Sequence, residues 1–185
     1  MHVNDKRKLV WARVPKTGST SVREALGPWH KTPHTHSGHH THAMFSWMPY
    51  EFVEKYYEYE WAGCIRHPLA WLPSLRIWIR FNHPRMKTMC FGESGVVPDN
   101  WLDFLRELRV TPLDWLSDPR VPAVTIHKTE EMDKLAEHFG VPVRKLNVTR
   151  EKRKDRFIEA LDLQDDRVMS IIENKFHREL EIYKN

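Results

Sequence analysis

The fold of this chain is decided by residues 8–28, which read KLVWARVPKTGSTSVREALGP. Residues 8–14 are apolar and rich in strand formers, and Pro15 ends them because proline cannot continue a central ladder. A turn of small residues follows, and then a short helical segment that the pair Gly27-Pro28 stops. The stretch therefore predicts a buried strand, a tight turn and a helix.

The same order of elements returns twice further along the chain. Residues 61–65 predict a second strand, and Pro68 suits the first position of the helix that follows it. Residues 121–127 predict a third strand, and residues 129–139 predict a helix that Gly140 closes. Strands that alternate with helices indicate an α/β domain with a central parallel β-sheet flanked by helices.

Three further helices are predicted outside these units. Asp99 or Asn100 caps one of them, and the pair Thr111-Pro112 opens a short second one. A long helical pattern runs over residues 164–183. Since neither repeats nor a linker interrupts the chain, we expect a single domain over residues 1–185.

The amino-acid composition indicates a globular protein. The 185 residues are 41% hydrophobic and 29% charged with 7 glycines, which is typical of a globular protein and excludes collagen-like and disordered chains. No apolar run approaches the length of a membrane span, and the first eight residues are polar, so we expect neither a membrane span nor an exported precursor. The two cysteines, Cys64 and Cys90, favour a reducing, cytoplasmic location.

Charge and histidine content suggest two kinds of ligand. The net charge of +4 is too small for a nucleic-acid footprint by itself, but it fits a pocket for an anion. Half of the 12 histidines lie within residues 30–42, where their spacing matches no closed zinc pattern. We interpret most of them as exposed loop residues, and His127, after the third strand, as a satisfied structural residue.

The turn at residues 16–21 has the composition of an anion cradle. It follows a predicted parallel strand and opens a helix, and it adds the lysine Lys16, four hydroxyls and the close backbone approach that Gly18 allows. The alternative is an ordinary turn in which Ser19 or Thr20 caps the helix. The Walker order of glycine and lysine is absent, which disfavours an ordinary P-loop NTPase.

Residues 14–21, VPKTGSTS, resemble the 5′-phosphosulfate loop of sulfotransferases that use 3′-phosphoadenosine 5′-phosphosulfate (PAPS), especially the carbohydrate branch. In that family a later strand ends in an arginine, followed eight residues on by a serine, and the pair holds the 3′-phosphate. Arg66 and Ser74 match this spacing, although the pattern departs at His67 and Trp71. The resemblance implies a P-loop-like α/β fold. It also implies a cofactor-binding loop made of Lys16, Thr17, Gly18, Ser19, Thr20 and Ser21.

The uronosyl 2-O-sulfotransferases offer the nearest resemblance. Their catalytic base is the second histidine of a motif between the two phosphate motifs, which places the role on His42, with His40 as the second candidate. Residues 146–154 resemble the loop that closes over the cofactor, with Thr149 and Lys152 as its matching residues. Lys16 is then the catalytic cation that stabilises the leaving oxygen.

The resemblance implies transfer of a sulfuryl group from PAPS to a hydroxyl, with the nucleotide PAP as product. The expected acceptor is a hydroxyl-bearing small molecule or glycan, and we expect no metal requirement, no nucleic acid and no membrane as partner. Two alternatives remain open: a His-rich metal- or nucleic-acid-binding module, and a nucleotide-dependent phosphotransferase that uses the Lys16 loop. A third is a family member that binds the nucleotide without transfer activity.

Overall fold

The computed structural model shows an α/β protein with one β-sheet. It describes residues 1–31, 43–81, 84–143 and 164–184. The chain divides into two compact units, the first Met1–Arg66 with Pro112–Val148 and the second His67–Thr111 with Thr149–Asn185. All strands of the sheet belong to the first unit, and no described helix is long and apolar enough to cross a membrane.

The sheet has five strands in the order β3-β1-β2-β4-β5. These are β1 His2–Asn4, β2 Leu9–Ala12, β3 His30–Lys31, β4 Glu60–Ile65 and β5 Val124–Lys128. Strands β2, β4 and β5 are parallel neighbours, as predicted from the three strand-helix units. Strand β1 runs antiparallel to both β2 and β3, so the sheet is mixed where the sequence predicted a parallel one.

The unpredicted side of the sheet, beyond β2, includes the first residues of the chain, which form β1 between β2 and the edge strand β3. Val3 pairs with Val10, and Val3 and Asn4 are each only 1% exposed although this segment looks polar in sequence. The Asn4 side chain accepts the Arg7 N–H at 3.1 Å, and this bond closes the turn that leads from β1 to β2. A strand of three residues with one apolar side chain carries too little periodicity to be predicted.

The structure contains eight α-helices in its described part. They are α1 Ser19–Leu26, α2 Tyr50–Lys55, α3 Pro68–Phe81, α4 Pro84–Phe91, α5 Trp101–Glu107, α6 Met132–Phe139, α7 Asp166–Lys175 and α8 His177–Lys184. Asn100 caps α5 as predicted, by accepting the Asp103 N–H at 2.8 Å. The predicted helix at Pro112 is a short 3-10 turn, Pro112–Trp115.

The core of the first unit lies on both faces of the sheet. On one face, side chains of β2 and β4 pack against α1 and α6; the cluster consists of Leu9, Trp11, Val22, Leu26, Ala62, Cys64, Met132 and Leu135. On the other face, the Trp61 ring packs against Phe45 and Phe52, with ring centroids 5.0 and 6.1 Å apart. This double coverage is what a sheet with parallel central strands requires.

The second unit is helical in its described part. Phe176 is fully buried, with its ring centroid 6.0 Å from that of Trp71. Its backbone leaves the helical region (φ −109°, ψ 19°), which ends α7 and separates it from α8. The single long helix predicted over residues 164–183 is therefore wrong: the helical spacing continues, but the backbone breaks at a buried aromatic residue.

Candidate anion-binding site

Three parallel strands end at one edge of the sheet, and each is followed by a residue of the candidate site. Residues 13–18 follow β2, Arg66 follows β4, and Thr129 follows β5. Ligands of open α/β sheets bind at this edge because the strand ends leave a crevice there and helices begin beside it. Lys16 and Arg66 therefore both lie at the carboxyl ends of parallel strands, on the same edge of the sheet.

Thr129 joins two of these strand ends. Its Oγ1 lies 3.0 Å from the carbonyl oxygen of Thr17 and 2.7 Å from that of Ile65. A hydroxyl has one proton, so it donates to one carbonyl at a time. From the sequence, Thr129 was assigned only to the start of a helix, and this positioning role was missed. The only sequence signal for it is weak: a hydroxyl residue directly after a predicted strand.

The loop after β2 is held in an uncommon conformation. The Thr17 hydroxyl donates to the carbonyl of Val14 at 2.9 Å, so this side chain shapes the turn. Lys16 has a φ of +64° and Gly18 a φ of +71°. Positive φ is uncommon for a residue other than glycine, and such conformations are concentrated at functional sites.

The start of α1 is not capped by a side chain. Gly18 is the N-cap residue, and its carbonyl accepts the Ser21 N–H at 2.9 Å. Ser19 and Thr20 are the first two residues inside the helix, so neither is the cap that the ordinary-turn interpretation requires. The positive end of the α1 dipole therefore points at the loop with no side-chain acceptor at the N-cap.

Positive charges are concentrated at this edge. Burial and the charge of Arg66 lower the pKa of Lys16. Burial and the charge of Arg23 lower the pKa of Arg13 to about 10, so Arg13 stays protonated at neutral pH. No carboxylate of the described chain lies within ion-pair distance of Lys16 or Arg66. An anion bound between them would relieve this repulsion.

Arg13 is a cation that sequence reasoning missed. It is only 8% exposed, directly after β2, and it interrupts the apolar run at residues 9–14. A buried arginine in such a run is rare, and this is the signal that would have pointed to it.

Other predicted site residues lie elsewhere in the chain. Ser74 is a half-buried residue of α3 and belongs to the second unit. His67, where the family pattern departs, accepts the Leu69 N–H on its Nδ1 at 3.3 Å and so caps α3, as an aspartate does at such a position. His40, His42, Thr149 and Lys152 lie outside the described residues.

Compared with known proteins, the chain has no match: no family model, no curated protein and no solved structure. What the site can bind is therefore argued from its own residues. Backbone N–H groups at a helix start, a lysine and an arginine can together hold oxyanions such as phosphate or sulfate groups. Lys16 and Arg66 follow different strands, and a ligand with two such groups would satisfy both cations.

Proposed function

We propose that this chain is a PAPS-dependent sulfotransferase of P-loop-like fold that acts on a hydroxyl group of a carbohydrate acceptor. One observation carries the proposal: Lys16 and Arg66 follow two neighbouring parallel strands at the same edge of the sheet, and neither is ion-paired with a carboxylate of the described residues. PAPS carries a 5′-phosphosulfate and a 3′-phosphate, so it is a ligand with two separated anionic groups. A cytoplasmic location, expected from the two cysteines, is part of the proposal.

In this proposal the two cations hold different ends of the nucleotide. The loop at residues 16–21 binds the 5′-phosphosulfate through Lys16, its hydroxyls and the N-terminus of α1. Arg66 binds the 3′-phosphate through paired N–H donors, which a lysine cannot reproduce. Ser74, Thr149 and Lys152 complete the cofactor contacts by resemblance to the family.

The transfer itself requires one proton acceptor and one cation. The acceptor hydroxyl oxygen forms a bond to sulfur while the bond between sulfur and the bridging oxygen of the nucleotide breaks, and PAP leaves. His42, with His40 as the second candidate, takes the hydroxyl proton, for which a histidine pKa is suited. Lys16 stabilises the charge that develops on the leaving oxygen, so the step needs no metal.

Calorimetric titration of the full chain with PAP tests the cofactor assignment, with AMP and ATP as comparison ligands. We expect PAP to bind at least about tenfold more tightly than AMP, because AMP lacks the 3′-phosphate and its charged hydrogen bonds. Arg66→Ala should remove this preference, and the exposed Arg106→Ala should keep it. Equal affinity for PAP and AMP in the wild-type protein would overturn the assignment of Arg66.

Turnover of PAPS with a panel of unsulfated oligosaccharides tests the catalytic assignment. We expect His42→Ala to lower turnover by about 10²–10⁴-fold while PAP affinity is unchanged. His39→Ala, in the same histidine-rich stretch, is the matched control and should retain activity. If His42→Ala turns over at the wild-type rate, the base is another residue.

The phosphotransferase alternative uses the same loop, and its cofactor distinguishes it from the sulfotransferase proposal. A phosphoryl-transfer enzyme would bind ATP with Mg²⁺ and hydrolyse or transfer its γ-phosphate. Magnesium-dependent turnover of ATP, together with weak PAP binding, would replace the sulfotransferase proposal.

A further inference from the structure

Three potential metal ligands meet on the first unit, on side chains other than those of the anion site. Glu60 is the first residue of β4, His127 lies in β5, and His138 lies in α6. The ligating atoms of the three side chains all lie within 4.8 Å of one another. The His138 Nε2 is 2.9 Å from the Glu60 Oε1. The cluster therefore brings two imidazoles and a carboxylate together from three elements.

His127 is the member whose environment points to a ligand. Its ring stacks on Trp11, with centroids 6.2 Å apart, and stands edge-on to His138 at 5.1 Å. Its Nε2 is buried and has no hydrogen-bond partner among the described residues. The sequence-based interpretation of His127 as a satisfied structural residue is therefore wrong, because this buried nitrogen is left without a hydrogen-bond partner in the described part of the chain.

The buried His127 Nε2 has no hydrogen-bond partner among the described residues. A buried polar atom without a partner keeps its desolvation cost, which a bound ion would offset.

Two histidines and one glutamate form the ligand set of zinc sites that keep an open fourth position. The ligand atoms of a tetrahedral zinc ion lie about 3.4 Å apart, given metal-ligand bonds of about 2.1 Å. Zinc binding requires the side chains of His138 and Glu60 to rotate to this spacing, and their exposure of 42% and 33% leaves them room to do so. Calcium and magnesium prefer sets made of oxygen atoms, which this cluster does not offer.

We propose that Glu60, His127 and His138 bind one zinc ion, with water as the fourth ligand. The ion would replace the hydrogen bond between Glu60 and His138 and link α6 to the two strands β4 and β5. None of the three residues belongs to the candidate anion site, so the proposal stands independently of the proposed sulfuryl transfer.

Zinc titration of the metal-free full chain, purified without a histidine tag, tests the site. Because residues 30–42 hold six other histidines, the titration is repeated on a variant in which those six are replaced by asparagine. We expect this variant to retain one tight zinc site. Zinc binding that disappears with these six histidines would overturn the proposal.

Single substitutions then locate the site. His138→Gln, made in the six-asparagine variant, should weaken zinc binding at least about 100-fold, since even the loss of a residue behind the ligands weakens a site by about 10–100-fold. The exposed His177→Gln is the matched control and should leave the affinity unchanged. Unchanged affinity in His138→Gln would overturn the assignment. His138 is exposed, and an unaltered circular dichroism spectrum without metal establishes that the variant is folded.

Two further measurements test the same zinc site. In the six-asparagine variant, zinc should raise the melting temperature with or without His177→Gln, but much less when Glu60→Gln is added, because only a ligand that binds the native state stabilises it. Cobalt in place of zinc should show the visible absorption of a four-coordinate ion. Melting temperatures that rise equally with and without Glu60→Gln in the six-asparagine variant would contradict the site. Failure of PAP binding leaves these outcomes unaffected, so the two proposals fail separately.

Discussion

Two features of the structure favour glycine at position 18: a positive φ and the lack of space for a Cβ atom. Its φ is +71°, and a Cβ added there would lie 2.6 Å from the Met132 Cε. Gly140 has a similar φ of +62° with nothing within 4 Å of such a Cβ. Glycine is thus required at position 18 for both conformation and space, and at position 140 for conformation alone.

Alanine substitutions at these two glycines should therefore differ. We expect Gly140→Ala to lower the free energy of unfolding by about 1–2 kcal/mol, which is the strain of a left-handed alanine. Gly18→Ala should lower it by at most about 1 kcal/mol more, because the flexible end of the buried Met132 side chain must also move. Urea unfolding of both variants measures the difference, and equal losses would show that Met132 moves without cost.

Thr129 gives a second prediction at the residue scale. Thr129→Val removes the hydroxyl that bonds the carbonyls of Thr17 and Ile65, so we expect a loss of about 1–3 kcal/mol in unfolding free energy and weaker PAP binding. Thr125→Val, in the preceding strand β5, is the control because its hydroxyl has no hydrogen bond within the described chain. If the two variants bind PAP equally well, Thr129 does not position the loop.

At the scale of elements, an ion pair fastens the turn that precedes β5. Asp118 accepts hydrogen bonds from the backbone and from Nε and Nη2 of Arg120, and Arg120 also donates to the carbonyl of Ser46 at 3.2 Å. The hydrogen bonds from Arg120 lower the pKa of Asp118 below its ordinary value of 3.8. The turn is therefore tied to the segment before α2 in a way that depends on the charge of Asp118.

The stability that the ion pair between Asp118 and Arg120 contributes should decrease at low pH. A carboxyl whose pKa is lowered by folding contributes stability that is full above its ordinary pKa of 3.8 and is lost as the pH falls through the folded value. We expect Asp118→Asn to be less stable than wild-type at pH 7, and the gap to shrink below pH 3.8. Urea midpoints at both pH values, with the exposed Asp133→Asn as control, measure this; a gap that does not change with pH would contradict the assignment.

The elements that the sequence predicted correctly have strong local signals. Strands β2 and β4 are apolar runs, β5 overlaps the strand predicted at residues 121–127, and α3 begins at Pro68 as expected. Strand β1 has only three residues, and the end of α7 depends on the burial of Phe176. Elements of this kind are decided by partners distant in sequence, so the local pattern does not reveal them.

At the scale of the whole molecule, each compact unit contains one buried cysteine. Cys64 lies in the first unit and Cys90 in the second, and both are free and fully buried. Burial raises the pKa of both thiols, that of Cys90 to about 12, so almost no thiolate exists at neutral pH. Since the thiolate is the reactive form, both should be inert in the native protein.

Thiol labelling can therefore report on each unit separately. We expect Ellman's reagent to react with neither cysteine under native conditions and with both in guanidinium chloride. Cys90→Ser leaves only the thiol of the first unit, and Cys64→Ser leaves only that of the second, so labelling rates at intermediate denaturant give the opening of each unit. Rapid labelling of the native protein would contradict the burial of the thiol concerned.

The sequence by itself determined the three strand-helix units and the cationic turn after the first strand. Those features rest on apolar spacing, proline, glycine and hydroxyl residues within a few positions of one another, which act locally. Only the tertiary structure decided that Thr129 bonds the loop across 112 positions and that His138 meets Glu60 across 78. Such contacts form because strand order and helix packing bring distant residues together, and no local periodicity encodes that order.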